Sequence, residues 1–146
     1  MQHIIGVLPY LWEGIKLTFL ITIIGVAIGF IIGAFVGLGR LSKNKLIFSI
    51  CTVYVEVIRG TPILVQIFFI YFGLSDFVNI DKLTASIMAI ALNAGAYIAE
   101  IVRGGVQSID KGQFEAGDSI GLTKAQTMCY IIRPQAFKRM IPPLGN

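Results

Sequence analysis

The sequence predicts an all-α, multi-spanning membrane helical bundle, and three observations carry that prediction. The chain of 146 residues is 55% hydrophobic and only 14% charged, where soluble domains carry roughly a quarter charged residues. From Leu17 to Gly39 no residue is charged, a run of 23 positions, and about 20 apolar residues cross a ~30 Å hydrocarbon core. Two further apolar stretches follow, separated by short loops of uneven Lys and Arg content. A chain of this length is one domain, 1–146.

Composition also narrows the chemistry. His3 is the single histidine, and Cys51 and Cys129 lie far apart with no partner spacing. Neither a metal site, a disulfide framework nor a nucleophile–base pair can be assembled from them. There is no G-x-x-x-x-G-K-[ST] loop, so nothing in the chain cradles a nucleotide. The expectation is a protein that is not itself an enzyme and holds no cofactor.

Met1–Lys16 reads as a mixed segment containing Pro9, Glu13 and Lys16. The first span is 17–39. It lacks the basic start, short apolar core and small-residue cleavage site of a signal peptide. Gly25, Gly29, Gly33 and Gly37 recur every fourth residue, small-xxx-small spacing that marks a face for close helix contact in lipid. A basic loop follows, Arg40 to Lys45. Counting about 20 residues back from Leu74 places the second span at 55–74. Leu46–Tyr54 then lies at the interface, Glu56 and Arg59 sit near one membrane edge, and Gly60 and Pro62 kink the helix. Ser75–Lys82, with Asp76, Asp81 and Lys82, is a loop, and the third span is 83–102.

Beyond it, two short helices are expected outside the bilayer, Lys111–Ile120 and Lys124–Ile132, meeting at an angle. Asp110 precedes Gln113 by three and Thr123 precedes Gln126 by three, each a capping-box pattern. Gly121 falls where a left-handed residue stops the first helix. Pro134 limits the second, because the residue before a proline is pushed out of the α region. A further helix starts from about residue 135.

Topology follows from the cations. The loop at 40–45 carries three Lys and Arg, the segment from Arg103 onward six, and the loop between spans two and three only Lys82. Positive loops stay in the cytoplasm, which places the N-terminus outside and the two short helices inside. The net charge of +4 is thereby explained without nucleic acid.

Polar residues within the spans are the candidates for function. Glu56-Val-Ile-Arg59-Gly60 and Glu100-Ile-Val-Arg103-Gly104 are near copies, with Glu and Arg on one helix face in each. Either each pair neutralises itself, or the pairs bridge two helices, or some of the groups line a substrate path. Ser86, Asn93, Tyr97 and Glu100 form a stripe on span three, while Arg59 and Gln66 share a face of span two. Intramembrane polar groups face a bundle interior or a wet cavity. A zwitterionic solute needs a cation for its carboxylate and an anion or amide for its amino group, which Arg59, Gln66, Asn93, Tyr97 and Glu100 supply; helix–helix hydrogen bonds account for the same residues.

Glu115-Ala-Gly, then Gly121, then Ile131-Ile-Arg-Pro134 resembles the "EAA" loop of bacterial ABC-importer permeases: Glu-Ala-Ala, three residues, Gly, nine residues, a branched apolar, one residue, Leu-Pro. Gly117 stands where a second Ala is usual and Arg133 where Leu is common. Tyr54–Leu74, Leu92–Ile109, the Asp110-Lys-Gly-Gln-Phe loop and Pro142-Pro-Leu-Gly-Asn resemble the polar amino acid subfamily of those permeases across essentially the whole chain. The resemblance implies a type I ABC importer transmembrane domain. In it the two short helices are coupling helices that dock on a separate ATPase, and Glu115, Ala116, Gly117, Asp118 and Gly121 do the coupling. Implied partners are a cytoplasmic ATPase dimer, a second permease copy, identical or homologous, an extracellular or periplasmic solute-binding protein, and a polar amino acid as substrate, at the cytoplasmic (inner) membrane. Such permeases continue past Leu-Gly-Asn, so the chain reads as the first two-thirds of one. The alternatives are a truncated form that assembles without transporting, and an unrelated small channel or secondary transporter.

Overall fold

The computed structural model describes residues 2–74 and 77–145, with side chains from residue 7 onward; Ser75, Asp76 and Asn146, and the side chain of His3, lie outside the described residues. Every regular element among the described residues is helical.

Helix α1 spans Gln2–Gly39 and is longer than the 17–39 span the sequence predicts. The charges taken to end the mixed segment do not break it. Glu13 and Lys16 lie one turn apart and pair at 2.8 Å, which lets the helix run through them, and Pro9 sits inside it. Its portion from Val7 to Gly39 is long and apolar enough to cross a membrane, as is α4, Lys82–Gln107. Asp81 starts α4 by accepting from the amides of Leu83 and Thr84.

The glycine face of α1 is a seam against α4. A Cβ on Gly29 would meet the Ala91 carbonyl at 2.8 Å, one on Gly33 the Gly95 carbonyl at 2.7 Å, and one on Gly37 the Ala99 carbonyl at 2.8 Å. Backbones this close leave no room for a side chain. Dispersion between tightly packed helices holds them together where lipid supplies no hydrophobic drive.

The second apolar stretch departs most from expectation. Helix α2 runs Lys45–Gly60, capped by the Asn44 side chain at the Leu46 amide, 2.9 Å. Helix α3 runs Ile63–Gly73, and the two meet at 105°. The sequence predicts one kinked span at 55–74; the chain turns instead through a wide corner. Thr61 and Pro62 are both extended (ψ 129° and 137°), because a proline drives its predecessor out of the α region and donates no hydrogen bond itself. α3 then folds back along α4, burying Ile70 against Ala85 and Ala89.

The end of the bundle that follows α4 is built from α5 (Lys111–Ser119), α6 (Lys124–Thr127), a π-helical turn (Met128–Ile132) and α7 (Arg133–Leu144). The chain does not stop at Pro134 as predicted. The Arg133 amide bonds the Met128 carbonyl five residues back, and Arg133 itself keeps helical angles (φ −55°, ψ −48°). Pro134 follows in the first turn of α7, where a missing N–H is tolerated. A small core of Val106, Ile109, Ile132 and Ala136, with Phe114 and Met140 against it, ties α4, α5, the π turn and α7 together.

Candidate functional site

Two constellations emerge, one among the spanning helices and one at the corner between α5 and α6. The first is centred on Glu100. One of its oxygens accepts from Arg103, one turn along α4, and the other from Arg40, which follows the end of α1. Arg59 of α2 brings Nη1 within 3.7 Å of the same carboxylate. Arg40 is 8% exposed and also reaches Glu56 at 3.8 Å. Three guanidinium groups from three parts of the chain thus converge on Glu100, each offsetting the cost of burying the others' partner.

Of the two sequence pairs, Glu100–Arg103 forms as an i,i+3 pair, and Glu56 and Arg59 do not pair with each other. Arg59 instead lays its guanidinium over the Tyr97 ring, 5.1 Å from the centroid. Both line a cleft of about 360 Å³ with Val55, Glu56 and Gly60. Arg59, Tyr97 and Glu100 are therefore brought together, from two different helices.

Gln66 and Asn93 sit elsewhere. Gln66 is buried, and its amide donates to the carbonyls of Ile58 and Thr61 at 2.8 Å each. Both carbonyls lie where the α2 helix breaks, and that of Ile58 also accepts from the Thr61 amide at 3.4 Å. The Gln66 side-chain oxygen receives Asn93 Nδ2 at 3.5 Å. Both residues are engaged in fastening the corner. Ser86 turns its hydroxyl back to the Lys82 carbonyl at 2.8 Å.

Arg40 and Tyr54 are the members that sequence reasoning missed. From the sequence Arg40 reads only as a loop cation. One signal was present: it lies three residues after Gly37, on the face that meets α4. Tyr54 donates to the Leu92 carbonyl at 2.7 Å and wedges beside Gly95, whose absent Cβ would lie 2.9 Å from the hydroxyl.

At the second constellation, Gly121 has φ +79°, the left-handed conformation that stops α5. The Leu122 amide bonds the Gly117 carbonyl at 3.0 Å and the Gly121 amide bonds that of Asp118 at 3.1 Å, the paired bonds of a Schellman stop. The Thr123–Gln126 capping box forms in full. At Asp110 only half of the predicted box exists. Its carboxylate caps the Gly112 amide at 2.7 Å, but Gln113 is taken by Gln135 Nε2 at 2.9 Å, which braces α5 to α7. Glu115, Ala116, Asp118 and Gly121 are exposed. Gly117 is buried and faces Thr127 across the corner, so it closes the hairpin and belongs to no outward surface.

Comparison with known proteins gives a consistent picture. The chain is 48% identical over 142 residues to the glutamine transport system permease protein GlnP of Escherichia coli (strain K12), covering 95% of this chain and 65% of that one. It is 42% identical over 139 residues to the L-cystine transport system permease protein TcyB of Bacillus subtilis (strain 168), covering 94% and 59%. It thus spans about two-thirds or less of the length of these curated relatives. A crystal structure of an amino acid ABC transporter with histidines superposes with a TM-score of 0.93 at 44% identity, covering 99% of this chain and 68% of that one. The binding-protein-dependent transport system inner membrane component family matches residues 25–146, from the first seam glycine past the α5–α6 corner, and the chain belongs to that family.

Proposed function

We propose that this chain acts as the permease subunit of an ABC importer for polar amino acids, with ATP hydrolysed by a separate cytoplasmic subunit. The observation that carries the reading is the α5–α6 corner: a rigid, outward-facing hairpin with Glu115, Ala116, Asp118 and Gly121 on its surface. Relatives named for glutamine and cystine transport support the substrate class.

The mechanism follows from how the corner is anchored. α5 joins α4 through only Ser108–Asp110, and α6 runs through the π turn directly into α7. Gln113–Gln135 and a bond from Arg139 to the Ser108 carbonyl lock the hairpin to both. A displacement of the corner by a closing ATPase dimer therefore moves α4 and α7 as levers. α4 carries Tyr97 and Glu100, so the motion reaches the charged cluster and opens the path to the other side. A second permease copy encloses that path and a solute-binding protein feeds it from outside. The N-terminus is external and the corner cytoplasmic. Arg59 and Tyr97 line the path, while Gln66, Asn93 and Glu100 hold its wall.

The test is uptake of labelled glutamine, histidine, arginine and cystine by cells carrying the full reading frame with its ATPase and binding protein. Glu115→Arg reverses the charge on the docking face, and Gly121→Pro imposes φ ≈ −65° where +79° is required. Both abolish uptake while the protein stays in the membrane. Undiminished uptake in both removes the coupling role.

A further inference from the structure

We propose that the groove where α7 meets the ends of α1 and α4 binds an anionic phospholipid, with an acyl chain along its apolar lining and the phosphate on Arg133. The inference goes beyond the transport reading and does not depend on it.

The groove encloses about 530 Å³ between Ala34 and Leu38 of α1, Val102 and Val106 of α4, and Phe137 of α7, and Arg133 is the one charged residue that lines it. Its place in the bundle follows from the two helices long enough to cross a membrane. Leu38 lies one residue before the end of α1, and Val106 one residue before the end of α4. The groove therefore opens where hydrocarbon gives way to headgroups. It reaches inward by about 6 Å along each helix, from Leu38 to Ala34 and from Val106 to Val102, at 1.5 Å per residue. That is the depth of the upper part of an acyl chain in a core of ~30 Å. Leu38 and Phe137, 45% and 59% exposed, leave its apolar side open to lipid.

The charge decides which lipid. Among the described residues the other arginines are committed: Arg40, Arg59 and Arg103 to Glu100, and Arg139 to the Ser108 carbonyl. Arg133 forms no ion pair among those residues. Its one hydrogen bond runs from Nη1 to the Cys129 sulfur at 3.7 Å, and a thiol is a weak acceptor. Most of the guanidinium fork is left open, and that fork matches the oxygens of a phosphate. The arginine stem is long enough to lie against an apolar wall while its head stays in the headgroup layer. No carboxylate lines the groove to compete for it. Basic pockets between membrane helices take acidic headgroups in this way. The hollow at the α2–α3 corner, about 460 Å³, is equally apolar but has no charged residue in its lining, so nothing there favours a headgroup.

The experiment is photocrosslinking from the groove wall. The full-length permease, assembled with its ATPase, carries p-benzoylphenylalanine in place of the exposed Phe137. It is reconstituted in vesicles of equimolar dioleoylphosphatidylglycerol and dioleoylphosphatidylcholine, and the adducts are identified by mass. Phosphatidylglycerol adducts are expected to exceed phosphatidylcholine adducts about fivefold, the equivalent of the ~1 kcal/mol that one basic residue contributes near an anionic surface. Arg133→Leu should bring the ratio to about one, and Arg133→Lys should keep part of it. Lys138→Leu removes a neighbouring cation that does not line the groove and should leave the ratio unchanged. Adducts to protein, which would show that another segment covers the groove, overturn the assignment, as does an absence of lipid adducts. Equal yields of the two lipids, or a preference that survives Arg133→Leu, do the same. A preference lost equally in Lys138→Leu would mean diffuse surface charge and no site. The crosslink is read without ATP or amino acid and with both lipids in both leaflets, so failure of the transport or topology reading does not alter it.

Discussion

Gly117 and Thr127 are pressed together at the corner of the hairpin: a Cβ at residue 117 would lie 2.5 Å from both Cγ2 and Oγ1 of Thr127. Permeases of the resembled family usually carry alanine here, and in this chain the glycine leaves room for Thr127. Gly117→Ala is expected to destabilise the corner by about 1–3 kcal/mol, the usual cost of overpacking. Thr127→Ala removes both clashing atoms and also a buried hydroxyl with no hydrogen-bond partner. The double variant should recover most of the loss in thermal melting and in ATPase co-purification. Equal stability of Gly117→Ala and wild type would show that the two helices separate freely.

The Arg40–Glu100 bond closes a span of 60 residues. Removing Glu100 leaves the buried Arg40 with only its 3.8 Å contact to Glu56, whereas removing Arg40 leaves Glu100 with Arg103 and Arg59; each loss therefore costs less than the about 3–5 kcal/mol of a buried charge left wholly unpaired. Arg40→Met and Glu100→Gln should each lower the melting temperature in detergent, Arg40→Met more than Arg59→Met, because Arg59 is 40% exposed. A replacement of both Arg40 and Glu100 by apolar residues should cost less than either alone.

Gln66 fastens the 105° corner. Gln66→Leu strips the Thr61 carbonyl of its side-chain donor and leaves the Ile58 carbonyl only the Thr61 amide at 3.4 Å. At about 1–3 kcal/mol for an unsatisfied buried group, the variant should lose stability and membrane yield. Gln66→Glu loses the donors too and should behave alike. Among molecules that fold, the apparent affinity for amino acid should stay near wild type; a selective rise in KM without loss of stability would return Gln66 to the substrate path.

The glycine seam predicts a graded series. Gly33→Ala forces Ile98 Cβ from 2.6 Å and the Gly95 carbonyl from 2.7 Å, so it should separate α1 from α4. Gly14→Ala meets nothing within 4 Å and should be silent. Cysteine pairs across the seam, with crosslinking yield as the readout, distinguish the two.

Asp81 supplies a pH dependence outside the spans. Donation from the Thr84 hydroxyl, and then from the Thr84 and Leu83 amides, holds its carboxyl below the ordinary 3.8. A depressed carboxylate pKa in the folded state stabilises α4 above the ordinary value, and the contribution disappears as pH falls through the depressed one. NMR titration of the Thr84 amide should show a midpoint below 3.8, and Asp81→Asn should abolish it.

Much of this protein was legible because its signals are local. An apolar run long enough for the bilayer, glycines every fourth residue, Thr123 before a helix start, and Gly121 after a helix end each act within a turn or two of chain. The sequence alone therefore determined that the chain is helical, where α1 ends, and which face of α1 is thin. Tertiary structure decided what those faces meet. Arg40 reads as a topological cation until α1 is laid along α4 and Glu100 arrives beside it. Gln66 reads as a wall of a substrate path until the chain turns at Thr61 and Pro62 and exposes carbonyls for it to cap. Gly117 reads as part of a docking surface until α6 folds back and sets Thr127 against it. Helix periodicity specifies direction around one axis, whereas the partner of a buried charge or an orphaned carbonyl depends on how separate axes cross.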